Sequence, residues 1–167
     1  MSSSFDLPEL RSFAVGTEGP AGARVFYLQA VTETQVVTLR LEKQQVALLA
    51  DYLARVISSY ELAESPATTM PELYQPVISE WIVGSMVVAI DESESRVIVI
   101  AEELVAEDED ADPDSAPAGS QARFALTRGQ VDAFVAGARE VIESGRPTCP
   151  LCGRPINADG HFCPRLN

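Results

Sequence analysis

The sequence predicts an α+β fold in which a strand-strand-strand-helix unit is used twice, forming antiparallel sheet with packed helices, followed by a small zinc-knuckle tail. Three observations carry this expectation. Two sets of β-rich runs are each followed by a stretch of helical period, and the apolar positions of those two stretches share the same offsets. The third is "CPLCGRPINADGHFCP" (Cys149–Pro164), which holds all three cysteines and the single histidine of the 167 residues.

In chain order, "RSFAVGT" (Arg11–Thr17), "ARVFYLQAV" (Ala23–Val31) and "TQVVTLRLE" (Thr34–Glu42) are rich in Val, Phe, Tyr and Leu. They are separated by turn signals: "EGPAG" (Glu18–Gly22), and a short hairpin around Thr32 and Glu33. Val46, Leu49, Leu53, Val56, Ile57 and Tyr60 then recur at three- and four-residue steps, predicting a helix from Lys43 to about Leu62. "ESPATTMPELYQP" (Glu64–Pro76) is punctuated by Pro66, Pro71 and Pro76 and is expected to be a linker with at most a helical turn.

The second half repeats the order: strands in "EWIVGSMVVAID" (Glu80–Asp91), "SRVIVIAEELV" (Ser95–Val105) and "QARFAL" (Gln121–Leu126), then a helix. Thr127 and Gln130 have the spacing of a capping box, which satisfies two backbone donors at a helix start. The second helix places Val131, Phe134, Ala138, Val141 and Ile142 at the offsets of Val46, Leu49, Leu53, Val56 and Ile57, a shift of 85 residues. "FAVG" at Phe13 matches "WIVG" at Trp81 with a shift of 68, so the second unit holds about 17 extra residues, mostly in an acidic loop, 107–119. The units are thus expected at about 5–63 and 78–144, within a domain of 1–146, with the tail at 147–167. The alternative is an ordinary α+β domain whose helices share offsets because any amphipathic helix does. Trp81, Phe13, Phe26 and Tyr27 are assigned to the core or the sheet faces, and Tyr60 and Tyr74 to a groove between the units.

Composition narrows the function. A chain of 18.0 kDa is long enough to bury a core without a metal. It has no apolar run near the ~20 residues that span a bilayer, and "MSSSFDLPEL" lacks the features of a secretory signal. A cytoplasmic protein with no membrane partner is expected. The net charge of −13 opposes nucleic acid as a partner. The charge is uneven: "EDEDADPD" (Glu107–Asp114) holds six acids, while the tail carries Arg146, Arg154 and Arg165. Those arginines serve solubility or dock on an acidic partner or a phosphate.

Cys149 and Cys152, separated by two residues, can converge on one cation, and Gly153 permits the tight turn that aims backbone N–H groups at sulfur. His161 and Cys163 complete a Cys3His set, suited to a closed, tetrahedral Zn²⁺ site of structural type. Their one-residue spacing requires a sharp bend. Were His161 to face away, Asp159, a water or a partner's group would be the fourth ligand and the site would be open. Dithiol redox chemistry fits poorly, because the Cys-x-x-Cys pair follows a helix and Pro147 rather than opening a helix after a strand.

A nucleophilic triad would compete with the metal for the sole histidine. "GTEGPAG" (Gly16–Gly22) lacks the Lys and Ser/Thr of a phosphate loop, and the acidic run lacks the spacing of a calcium loop. Glu102 and Glu103 are the carboxylates an acid-base reaction would use.

"RSFAVGTEGPAGARVFYLQA" and "CPLCGRPINADGHFCPR" together resemble an uncharacterised actinobacterial family, a domain of unknown function, over nearly the whole chain. The resemblance implies a phosphate-based process, through neighbouring genes for histidine-phosphatase-like and kinase-like proteins, and assigns no catalytic residue. The expected function is a binding or adaptor protein whose zinc shapes a tail that docks on a protein partner. The alternative is a hydrolase or transferase acting at the inter-unit cleft or at an open zinc.

Overall fold

The computed structural model describes residues 2–20, 22–106, 119–156 and 160–166. The acidic run Glu107–Asp114, most of the loop around it, and Asp159 lie outside the described residues. The elements are β1 (Phe5–Leu7), β2 (Ser12–Glu18), β3 (Val25–Val31), β4 (Val36–Leu41), α1 (Lys43–Ser59), β5 (Val83–Asp91), β6 (Arg96–Glu103), β7 (Gln121–Leu126) and α2 (Arg128–Glu143).

Two sheets form, ordered β2-β3-β4 and β1-β7-β6-β5. Each contains an antiparallel meander of three consecutive strands. Side chains alternate across each meander as strand geometry requires. Phe13, Val15, Leu28, Ala30, Val37 and Leu39 line the inner face of one sheet, and Val97, Val99, Ala101, Phe124 and Leu126 that of the other. Both faces meet in a common hydrophobic core, where the Phe13 ring centroid lies 5.4 Å from that of Phe124 and 4.9 Å from that of Phe134 on α2.

The expectation of purely antiparallel sheet fails at β1. Phe5–Leu7, too short to signal itself, pairs parallel with β7, with Asp6 opposite Arg123. A reciprocal contact exists in the other half. Ile82 O still accepts from Leu104 N–H at 2.7 Å in its own sheet, but Glu80–Ile82 also runs parallel to β4: Glu80 N–H donates to Thr38 O at 2.8 Å, and Arg40 N–H to Trp81 O at 3.0 Å. Each half therefore lends its leading segment to the third strand of the other. Leu7 and Trp81 occupy corresponding inward positions, and both are buried.

The helices follow the same reciprocity. The Thr127–Gln130 capping box is present, with Thr127 Oγ1 accepting from Gln130 N–H at 3.2 Å and Gln130 Oε1 accepting from Thr127 N–H at 3.0 Å. On α1, Gln45 Oε1 accepts from Glu42 N–H at 2.8 Å. The amide of each glutamine then reaches the start of the opposite meander, Gln130 Nε2 to Leu10 O at 2.7 Å and Gln45 Nε2 to Val83 O at 3.2 Å. The helices pack on each other, α2 against β2 and α1 against β5.

The segment expected to be a loose linker is a strap. It passes Gly129 and Gly137 of α2, rounds the free edge of β2 and crosses the outer face of that sheet. Gln29, buried there, holds it by accepting from Tyr74 N–H at 2.7 Å and donating to Tyr74 O at 3.3 Å. Tyr74 is thereby fixed over β3, whereas Tyr60 borders a cavity with Tyr52 and Ile98, so the two tyrosines do not line a common inter-unit groove. Among the described residues no helix is long and apolar enough to cross a membrane.

Candidate metal centre

Past α2 the chain folds on itself over a few residues. Cys149 N–H donates to Arg154 O at 2.8 Å, Gly153 N–H to Cys149 O at 2.9 Å, and Ile156 N–H to Pro147 O at 2.8 Å. These bonds close a tight turn across the Cys-x-x-Cys pair. The turn requires Gly153 at φ +71, a left-handed conformation that side chains with a Cβ resist. A second glycine in that region, Gly160 at φ +91, returns the chain to His161 and Cys163.

The four predicted ligands come together. Their donor atoms all lie within 4.8 Å of one another, with Cys149 and Cys163 buried and Cys152 and His161 half-buried. Cys149 Sγ is 3.9 Å from Cys163 Sγ, and Cys152 Sγ is 3.3 Å from His161 Nε2. A tetrahedron with metal–sulfur bonds of about 2.3 Å has sulfur–sulfur edges of about 3.8 Å and sulfur–nitrogen edges of about 3.5 Å. Those two measured edges match a tetrahedron, and the four donors are close enough to hold one metal ion, with His161 turned inward despite the one-residue spacing to Cys163.

Backbone electrostatics favour a thiolate at Cys149. The amide N–H of Cys152, then that of Leu151, points at its sulfur and holds the thiol below its ordinary value. At Cys163 the Arg165 amide pulls the other way from the rest. Removal from water and the adjoining Cys152 and Cys149 sulfurs outweigh it and push that thiol up. Like charges crowding one pocket in this way are what a divalent cation relieves.

The tail presents apolar and basic groups outward. Phe162 is 88% exposed, Leu151 and Leu166 are also exposed, and Arg146, Arg154 and Arg165 are on the surface. Arg165 has a local role as well, donating from Nη1 to Leu151 O at 3.1 Å and so bracing one end of the knuckle against the other.

The carboxylates singled out in the sequence are not brought to the cysteines. Glu102 accepts from Ser85 Oγ at 2.6 Å. Glu103 accepts from Ser2 Oγ at 2.5 Å and Ser120 N–H at 2.9 Å, bonds that hold its carboxyl below the ordinary 4.5. Both side chains tie down neighbouring chain segments. Sequence reasoning missed a different feature, the open groove between α1 and β5. Its signal was present in Leu48 and Tyr52, large apolar residues spaced four apart on the polar side of the α1 pattern.

Fold and site define an α+β protein with two meander sheets, two packed helices and a C-terminal Cys3His cluster able to hold a metal ion. The chain belongs to the family described as "Protein of unknown function (DUF3090)", whose model matches residues 4–163. Neither a curated protein nor a solved structure matches it.

Proposed function

We propose that this is a zinc-binding adaptor: Cys149, Cys152, His161 and Cys163 hold Zn²⁺ as a closed structural site, and the tail so shaped docks on a protein partner in a reducing, cytoplasmic compartment. The observation that carries the reading is the donor geometry, four candidate ligands within 4.8 Å of one another with two edges of tetrahedral length, beside an almost wholly exposed Phe162. Thiolate and imidazole suit zinc, and a filled tetrahedron leaves no position for water, so the ion cross-links a segment that has little core of its own. Arg146, Arg154 and Arg165 supply the polar rim around Phe162, Leu151 and Leu166.

The test has two arms. Protein purified without added metal should contain one zinc per chain, and its cobalt derivative should give an unchanging sulfur-rich tetrahedral spectrum. Because protons compete for thiolates and imidazole, zinc should be retained at neutral pH and released on acidification. In the second arm, a partner cross-linked to the full chain should be lost both from a chain ending at Arg146 and from Phe162→Ala. Substoichiometric zinc removes the metal reading, and a partner retained by both shortened and substituted chains removes the docking one.

We infer also that the two halves descend from one duplicated unit. The shared element order, the reciprocal leading segments and the 85-residue shift common to the third strands and the helices support this. Sequences of further family members should show position-by-position likeness between 34–59 and 119–144; its absence across many of them would overturn the inference.

A further inference from the structure

Each helix forms a groove with the first strand of the meander it packs on, and the two grooves are filled differently. Between α2 and β2 the groove holds the chain's own strap. A Cβ at Gly137 would come within 2.5 Å of Met70, and one at Gly16 within 2.6 Å of Leu73. Val15 N–H, on the free edge of β2, points at Met70 Sδ at 3.4 Å. The small residues Gly129, Ala133 and Gly137 line up at four-residue steps to admit the strap.

The corresponding α1 residues, by the same 85-residue shift, are Gln44, Leu48 and Tyr52. No segment among the described residues lies over them. Here a groove of about 450 Å³ is open between Leu48 and Tyr52 of α1 and Gly84, Met86 and Val87 of β5. Leu48 is 66% exposed, Tyr52 48% and Val87 52%. β5 is also the end strand of its sheet, nine residues long, with neither the Pro nor the Lys that commonly guard an edge. Beyond the bulge at Gly84, an edge from Ser85 to Asp91 beside exposed apolar side chains has the geometry of strand addition.

We propose that this groove docks an extended segment of a partner protein, which pairs with the β5 edge, turns alternate apolar side chains toward Leu48, Tyr52 and Met86, and lays the intervening ones beside Val87 on the outer face of the sheet. The strap in the sister groove is the on-chain precedent for an extended occupant. Charge selects its chemistry. Ser85 of the groove donates to Glu102 on the outer face of the sheet, and Gln45 of the groove is bonded to Glu42 at the head of α1, so carboxylates flank the end near Gly84 and favour Lys or Arg on the incoming segment. A second copy would bring another net charge of −13 to the same place. The proposal does not rest on the metal, and the groove binds its segment whether or not the tail is folded.

The probe is a displayed random-peptide library, panned against the full zinc-loaded chain. Enriched peptides should alternate apolar residues and carry Lys or Arg at one end. A synthetic representative should slow amide exchange along Ser85–Asp91. Leu48→Glu and Val87→Lys, both at exposed positions and each checked for unchanged melting, should weaken it by about tenfold or more, while Cys149→Ser should leave its affinity unchanged. Enriched peptides that bind both groove variants equally, or no enrichment, overturn the proposal. So does a dimer in light scattering that Val87→Lys converts to monomer, which assigns the groove to a second copy. Faster exchange at Leu48 and Val87 in a chain ending at Arg146 assigns it to the protein's own tail.

Discussion

The groove between α2 and β2 and the groove between α1 and β5 occupy corresponding places in the two halves, yet one is closed by the chain and the other is open. The difference lies in side-chain size at three helical positions. Gly129, Ala133 and Gly137 let backbone approach α2, and the strap uses that approach to cover the edge of β2; Gln44, Leu48 and Tyr52 hold any chain further from α1 and offer apolar side chains instead. The same backbone plan thus yields internal closure in one half and an exposed surface in the other.

The largest effect expected tests what the two halves share. Phe13 lies between Phe124 and Phe134, so Phe13→Ala should cost about 3–5 kcal/mol. Chemical denaturation should show a single transition, shifted as a whole; two separate transitions would mean that the halves do not depend on a common core. Next comes the strap. Gly129→Ala raises helix propensity, but its Cβ would collide with Pro66 O, a backbone atom that cannot swing aside. A net loss of about 1–3 kcal/mol is expected, while Gln44→Ala at the corresponding α1 position should be neutral or slightly stabilising.

A smaller cost, about 1–2 kcal/mol, is expected for Gln29→Met, which keeps volume but leaves Tyr74 N–H without its acceptor. Limited proteolysis between Glu64 and Tyr74 should quicken in this variant and stay unchanged in Leu48→Glu; equal rates in the two would show that Gln29 does not hold the strap.

The smallest effect is a pH dependence. The Ser2 hydroxyl, then the Ser120 N–H, holds the Glu103 carboxyl below 4.5 in the folded chain. Its contribution is therefore present above that value and is lost as pH falls through the folded one. Glu103→Gln should lower the melting temperature slightly at neutral pH, and the difference should shrink as the pH is lowered through the folded value and wild-type Glu103 takes up its proton. A difference that persists undiminished in acid would show that its charge plays no part.

Much of this was legible in the chain. The six long strands and both helices announce themselves by period, and Thr127 and Gln130 mark the start of α2 within one residue. The start of α1 is marked less plainly, because Glu42 is not among the usual capping residues and only the Gln45 reach-back signals it. β1 was missed because three residues carry no period and their partner strand lies more than 100 residues away. Glu80–Ile82 was joined to β5 because extended backbone looks alike whichever strand it pairs with, and only the fold directs it to β4.

The Cys3His cluster able to hold a metal ion was determined by sequence alone, residue by residue. All four lie within fifteen residues, and turn chemistry at Gly153 and Gly160 brings them together without help from the rest of the chain. Spacing constrains such a short loop almost completely. The tertiary structure alone decided that the proline-rich stretch is a strap, that the halves exchange their leading segments, and that one of two corresponding grooves stays open. Those outcomes depend on contacts between residues scores of positions apart, where local pattern says which face is apolar and not what will come to cover it.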